Sequence, residues 1–324
     1  MNYPEYSVGR LVTTEYIDIS EDMTCTEVLQ RIRTIGLKKE TIYYLYVIDA
    51  TRKLQGTVSL RDIVLNPEDA KIIDIMHTKI ISVHTTEDQE SAVHLIKKYD
   101  LLALPVVDSE NRLVGIITVD DLMDVQTEEA TEDFQKIAAV LPTEKGYFET
   151  TFLSLIQKRI FWLIILLFAE WLSGSILNEY SFTLQSMVAL AFFIPMLLDT
   201  GGNTGTQSAT LVIRGLATGE ITLKDFTKVL KRELFMGAAL GLSLCLFAFG
   251  RAYILNSNFE LALIVGISLT VTIFAANIAG AVLPLLFKSF GMDPALMAGP
   301  FITTIVDVVG LIVYFEIAKV ILGM

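Results

Sequence analysis

The chain has 324 residues, 37 acidic and 25 basic, for a formal charge of −12. The surplus lies in one half: residues 1–150 hold 27 acidic and 15 basic residues, whereas residues 151–324 hold 10 of each. An acidic chain with no basic tract argues against nucleic acid as a partner and favours cations or basic surfaces, and the two cysteines, Cys25 and Cys245, do not suggest a disulfide framework.

Residues 1–10 are polar, so no cleaved signal peptide is expected. The first organised feature is a repeat. YLYVIDATRKLQGTVSLRDIV, starting at Tyr44, returns at an offset of 59 residues as ALPVVDSENRLVGIITVDDLM. Val47, Ile48, Asp49, Gly56 and Asp62 align with Val106, Val107, Asp108, Gly115 and Asp121. Each copy predicts a β-branched strand, a polar turn, a second strand opened by glycine and a helix start. Helices are predicted ahead of each pair, over 25–35 and 88–99, from apolar residues at three- to four-residue spacing. One copy of about 60 residues has a thin core, and two bury their apolar faces together.

This repeat resembles the paired CBS domains, regulatory modules known for binding adenosine nucleotides. The resemblance covers about residues 8–127, and it implies that the hydroxyl-x-x-Asp pairs Ser59/Asp62 and Thr118/Asp121 hold a nucleotide such as ATP. The alternative is plain helix capping, because a hydroxyl there accepts an orphan backbone N–H and an early aspartate suits the helix dipole.

Between residues 120 and 133 lie Asp120, Asp121, Asp124, Glu128, Glu129, Glu132 and Asp133, with no basic residue among them. On a helix, Asp124, Glu128 and Glu132 share a face, where like charges repel by a few tenths of a kcal/mol, roughly 0.2–0.5 per pair. Two readings stand: a solvated face, or a site for a hard cation such as magnesium, which prefers carboxylate oxygen. No EF-hand spacing is present, so such a site would be assembled across helices, domains or subunits. Residues 134–140 continue the helix, and 142–146 interrupt it.

Apolar stretches begin near Ile160, Phe182, Leu234, Leu261 and Ala295, each long enough to supply the roughly 20 residues of a membrane crossing. Lys158, Arg159, Arg214, Lys224, Lys228, Lys231, Arg232 and Lys288 fall on one side of those crossings. The bias predicts a cytosolic N-terminal half and an external C-terminus. Pro195, Gly201, Gly202 and Gly205 predict a broken second span lined by Asn203, Thr204, Thr206, Gln207 and Ser208, with close packing through small residues as the alternative. Asp307 lies inside the last span, where a lipid-facing carboxylate costs roughly 2.5–3.5 kcal/mol. With Thr303 and Thr304 it falls within about one turn, which suits a pore wall or a buried hydrogen-bond role. Glu170 and Glu316 are expected to snorkel or pair locally, and Asp199 to sit at an entrance.

DTGGNTGTQSAT at 199–210, FAANIAGAVLP at 274–284 and DPALMAGPFITTIVDVVGL at 293–311 closely resemble the MgtE family of magnesium channels, as does a CBS pair followed by QTEEATEDFQKIAAV. The resemblance implies a soluble α+β CBS pair followed by an all-α membrane domain with five transmembrane helices. Its parts are residues 1–127 (repeats about 1–72 and 73–127), an acidic connecting region at 128–157 and a pore domain at 158–324. It implies a homodimer in a bacterial-type plasma membrane, multi-pass, that is a channel and not an enzyme. The resemblance also implies that magnesium is both the transported and the regulatory ion. By the resemblance, Asp307 holds the hydrated ion, Asn203 and Thr303 border it, and the acids at 120–133 sense cytosolic magnesium. The helix over about 126–141 is the lever between sensing and pore. Gly299 stands where some members place asparagine, and many members carry an acidic helical domain before the CBS pair, at which this chain nearly begins. Alternatives from the residues are a transporter of cobalt or manganese, a coupled transporter, and a nontransporting membrane sensor.

Overall fold

The computed structural model describes residues 3, 4, 6–143, 146–297 and 299–324. They form two compact units, Met1–Ala130 and Thr131–Met324.

The first unit realises the repeat. Helix α1 (Cys25–Ile35) opens on a capping box in which the Thr24 hydroxyl accepts from the Glu27 amide and the Glu27 carboxylate accepts from the Thr24 amide at 2.7 Å. Its buried residues Cys25, Val28 and Ile32 carry the predicted helical spacing. Strands β1 (Asp18–Ile19), β2 (Tyr44–Ile48) and β3 (Leu54–Ser59) form a sheet in that order, β1 parallel and β3 antiparallel to β2. Two short helices, α2 (Leu60–Leu65) and α3 (Ile72–Ile75), complete the first copy. The second copy repeats the plan with β4 (Val83–His84), α4 (Gln89–Tyr99), β5 (Ala103–Val107) and β6 (Leu113–Thr118).

Even the register recurs. Val47 pairs with Gly56 and Val106 with Gly115, and each ladder is shifted at the next residue. The aligned aspartates explain the turns: Asp49 Oδ1 accepts from the amides of Thr51 and Lys53 at 2.8 and 3.0 Å, and Asp108 Oδ1 from those of Glu110 and Arg112, both at 2.9 Å. Each copy has its own core, with Leu45, Val47 and Val58 in one and Leu104, Val106 and Ile117 in the other. A third cluster, Tyr16, Tyr46, Ala103, Leu113 and Ile116, draws on both copies. Each fully buried aliphatic side chain contributes roughly 1.5–3 kcal/mol, so this shared cluster ties the copies into one body.

Helix α5 (Val119–Ile137) begins in the first unit and ends in the second, short of the predicted residue 140. Of the predicted interruption at 142–146, Glu144 and Lys145 lie outside the described residues. The second unit continues with α6 (Phe152–Glu179), α7 (Ser181–Ser186), a 3-10 turn (Val188–Phe193), α8 (Ile194–Ala217), α9 (Phe226–Asn256), α10 (Phe259–Ser289), a second 3-10 turn (Pro294–Met297) and α11 (Pro300–Leu322). Among the described residues, three segments are long and apolar enough to cross a membrane: Phe152–Glu179, Leu223–Asn256 and Phe259–Ser289, of 28, 34 and 31 residues. They contain the stretches expected near Ile160, Leu234 and Leu261. At about 1.5 Å rise per residue each exceeds the roughly 30 Å of hydrocarbon.

The predicted break among the glycines is not where the helix breaks. Helix α8 runs unbroken through Gly201, Gly202 and Gly205, and the irregularity precedes it, at Met187 (φ −142°, ψ 85°) and the following 3-10 turn. Pro195 lies in the first helical turn, where a missing N–H leaves no bond unmade. Helix α10 is the centre of the unit, packed by α8, α9 and α11, with Leu261, Ile264, Val265, Leu269 and Ile273 buried. Helix α6 is tied to α11 at one end: the Tyr180 hydroxyl donates to Glu316 Oε1 at 2.6 Å, and Lys319 Nζ lies 3.3 Å from that oxygen and 4.4 Å from the Tyr180 ring centroid. Glu316 therefore pairs locally, as expected.

Candidate functional sites

In the first unit, the end of β3 and the start of α2 border a cleft of about 640 Å³ lined by Tyr43, Tyr44, Ser59, Arg61, Asp62 and His77, among others. Ser59 and Asp62 make a capping box, with the Ser59 hydroxyl 2.6 Å from Asp62 Oδ2 and the Ser59 amide donating to the same oxygen at 3.1 Å. His77 Nε2 is 3.5 Å from that carboxylate. Partial burial pushes the Asp62 pKa up, but the Ser59 hydrogen bonds and the neighbouring imidazole outweigh it and hold the carboxyl below its ordinary range. An ionised acceptor, two tyrosine rings and an arginine in one cleft match the polar, aromatic and anionic parts of a nucleotide. Capping and cleft lining thus coexist at Ser59 and Asp62. In the second copy, the Thr118 hydroxyl donates to Asp121 Oδ2 at 2.9 Å, reproducing the local pair at the start of α5.

The predicted acidic ligands are spread along α5. Asp120, Asp121, Asp124 and Glu128 are exposed. Glu129 is half-buried and accepts from Gln89 Nε2 at 2.8 Å, and Asp133 is half-buried. Glu132 is held by Lys136 at 2.5 Å. Among the described residues no group of three His, Cys, Asp or Glu side chains is gathered to hold a metal ion. A straight helix separates residues four apart by about 6 Å along its axis, so one helix face alone does not close a coordination shell.

In the second unit, α8 has two unlike faces. On one, a Cβ at Gly201 would lie 2.8 Å from Val306 Cγ1 and Thr272 Cγ2, at Gly202 2.8 Å from Thr303 Cγ2, and at Gly205 2.8 Å from Ile302 Cγ2. The glycines thus let α8 close onto α10 and α11, so small-residue packing accounts for them. On the other face Asp199, Asn203, Gln207 and Thr210 are exposed, with Asn203 Nδ2 donating to Asp199 Oδ2 at 3.2 Å. Asp307 on α11 is half-buried, and its Oδ1 is buried with no hydrogen-bond partner. Its electrostatic neighbours are the carboxylates of Glu170 on α6 and Asp199 on α8. Thr303 and Thr304 are half-buried and return their hydroxyls to the carbonyls of Gly299 and Pro300 at 3.2 and 3.0 Å. The unit therefore brings Asp307 within electrostatic reach of Asp199, which holds Asn203.

Sequence reading missed a buried node between α8, α9 and α10. The Ser208 hydroxyl lies 2.9 Å from Glu233 Oε2 and 3.1 Å from the Asn277 carbonyl, and all three residues are buried. The signal was the position of Glu233 one residue before an apolar stretch, which reads equally well as the end of a charged loop.

Comparison with known proteins agrees with both halves. A CBS-domain profile matches residues 8–68 and 72–128, and the profile of MgtE, described as a divalent cation transporter, matches residues 194–317. The magnesium transporter MgtE of Thermus thermophilus is 43% identical over 320 residues, 99% of this chain and 71% of that protein. That of Bacillus subtilis is 38% identical over 322 residues, 98% of this chain and 70% of that protein. A solved structure, the cytosolic domain of the Mg2+ channel MgtE in complex with ATP, is 46% identical over 38% of this chain and 50% of that one, at a TM-score of 0.38. Identity at this level, carried across both the CBS pair and the helical unit, means that the chain belongs to the MgtE family.

Proposed function

We propose that this protein is a magnesium-selective channel that works as a homodimer, admits magnesium passively and is closed by magnesium on its cytosolic side. The observation that carries the reading is the open polar face of α8 beside Asp307 with its unpartnered carboxylate oxygen. In a bilayer such a face must meet water or another copy of itself. Two copies related by a two-fold axis, with α8 and α11 facing, would supply both and set two Asp307 carboxylates across one path. Asn203 and Thr303 would then orient the waters of a hydrated ion, which suits magnesium because it gives up its shell reluctantly. Transport of this kind needs no covalent catalyst. An inside-negative potential pulls a divalent ion inward with about 4.6 kcal/mol per 100 mV.

For regulation, cytosolic magnesium would bind along the acids of α5, with the remaining ligands from other helices or the second copy. It must bind the closed state more tightly than the open one. The cleft at Ser59 and Asp62 would take an adenosine nucleotide such as ATP, with Thr118 and Asp121 as the corresponding pair of the second repeat. In the membrane the N-terminal half faces the cytosol, five helices cross, and the C-terminus lies outside.

The test is magnesium flux into liposomes holding the purified protein, under an imposed potential, with internal magnesium titrated. Asp307→Asn is expected to lower flux about tenfold or more, the factor that corresponds to about 1.4 kcal/mol of lost ion stabilisation. Folded protein that carries no magnesium at any internal concentration would favour the sensor reading instead.

A further inference from the structure

The last turn of α5 is fastened to the approach to α11 by contacts that lie wholly within the second unit. Lys136 Nζ sits between two carboxylates, 2.5 Å from Glu132 Oε1 and 2.6 Å from Asp293 Oδ2. The other oxygen of Asp293 accepts from the Ala295 amide at 2.8 Å, so the carboxylate is anchored to the 3-10 turn ahead of α11. Two carboxylates against one ammonium favour its charged form. The next residue, Ile137, packs against the apolar cluster that contains Ala295, Ile302 and Val306. Its carbonyl oxygen rests on Gly299, the N-cap of α11, where a Cβ would be 2.5 Å away and φ is +52°. Thr303 and Asp307 begin one turn further along.

We propose that Lys136 is a tethered cation that closes an autoinhibitory latch, holding the end of α5 on the entrance of α11 without needing a metal ion at that contact. The proposal rests on the channel reading. One ammonium shared by two carboxylates leaves that contact one unit negative, and removing it leaves two like charges facing each other. Covalent attachment keeps the ammonium at a high effective concentration, roughly millimolar or above, independent of internal magnesium. Lys136 thus supplies a constant share of closure, and magnesium supplies the variable share. If the constant share is lost, more magnesium is required to reach the same closed population.

The experiment uses the full chain in liposomes, with flux measured across an internal magnesium titration for wild type, Lys136→Gln, Lys136→Arg, Asp293→Asn and the Lys136→Gln/Asp293→Asn double variant. In parallel, amide hydrogen exchange is followed over residues 131–141. Lys136→Gln is expected to raise flux at zero added magnesium several-fold, to move the closing midpoint to higher magnesium by a similar factor, and to speed exchange. Lys136→Arg should remain near wild type. The double variant should fall well short of the combined single effects, because the two residues act on one contact. Unchanged midpoint and exchange in Lys136→Gln, with gated wild-type flux, would overturn the latch and leave the channel standing. Faster exchange in Lys136→Gln, with no flux in any variant, would remove the channel reading and the autoinhibitory role with it, leaving Lys136 as a structural tether of α5 only.

Discussion

Asp62 has two duties, as a helix cap and as the acid of a cleft, and both need it ionised. Its pKa is held below the ordinary 3.8, so its contribution is complete above that value and is lost as pH falls through the lower, folded one. The Asp62 contribution to nucleotide affinity, read at each pH as the difference between wild type and Asp62→Ala, is therefore expected to be flat from neutral pH down to about 4 and to decline below it. Asp62→Ala should weaken a bound adenosine nucleotide by about tenfold or more, since hydrogen bonds to charged groups contribute roughly 1.5–3 kcal/mol. Titration calorimetry with ATP checks both. Asp121→Ala is the comparison: it removes the same local pair from the second repeat. Equal losses in the two variants would mean two equivalent sites.

At the scale of elements, the glycines of α8 offer the sharpest contrast. Gly202→Val places a branched side chain against Thr303 and is expected to destabilise the helical unit by about 1–3 kcal/mol, read as a lower unfolding temperature in detergent. Gly174→Ala on α6 meets nothing within 4 Å and should be neutral or stabilising by up to about 1 kcal/mol, because a helix interior favours alanine. Elements whose burial follows a simple period were legible from sequence. The repeat at an offset of 59 residues gave the strand pairs β2/β3 and β5/β6 and α1 to its ends, because alternation and 3.6-residue spacing are local properties, whereas the short parallel strands β1 and β4 and the pairing registers depend on neighbours distant in the chain. Helix α8 was misread because glycine has two uses in a membrane, to bend a helix or to admit a neighbour, and only the partner helices decide between them. The Lys136–Asp293 contact was illegible for a related reason: its partners are 157 residues apart, and nothing local marks them as a pair. Asp307 stood out because a charge in an apolar run is costly whatever surrounds it.

For the whole molecule, the exposed acids Asp120, Asp121, Asp124 and Glu128 predict that magnesium stabilises the chain in a concentration-dependent way. Thermal unfolding in detergent should shift upward by several degrees from zero to millimolar magnesium, and sodium at matched ionic strength should do much less, since screening alone does not coordinate. Combined neutralisation of these four residues should abolish most of the shift. A different consequence concerns how the helical unit is made. Helices α9 and α10 are joined through only Ser257 and Asn258, Ser257 in the left-handed conformation, and α10 carries the buried polar side chains Ser268, Thr272 and Asn277. A segment with that polar load gains from arriving beside a partner, and so tight a turn does not let one arm enter the bilayer ahead of the other. Biogenesis is expected to proceed by insertion of α9 and α10 together as a hairpin, leaving the intervening turn on the external side only once both arms have been synthesised. Labelling of Ser257→Cys by a membrane-impermeant thiol reagent on nascent chains of increasing length reads this with the turn intact: the turn should become reactive only after residue 289 has cleared the ribosome.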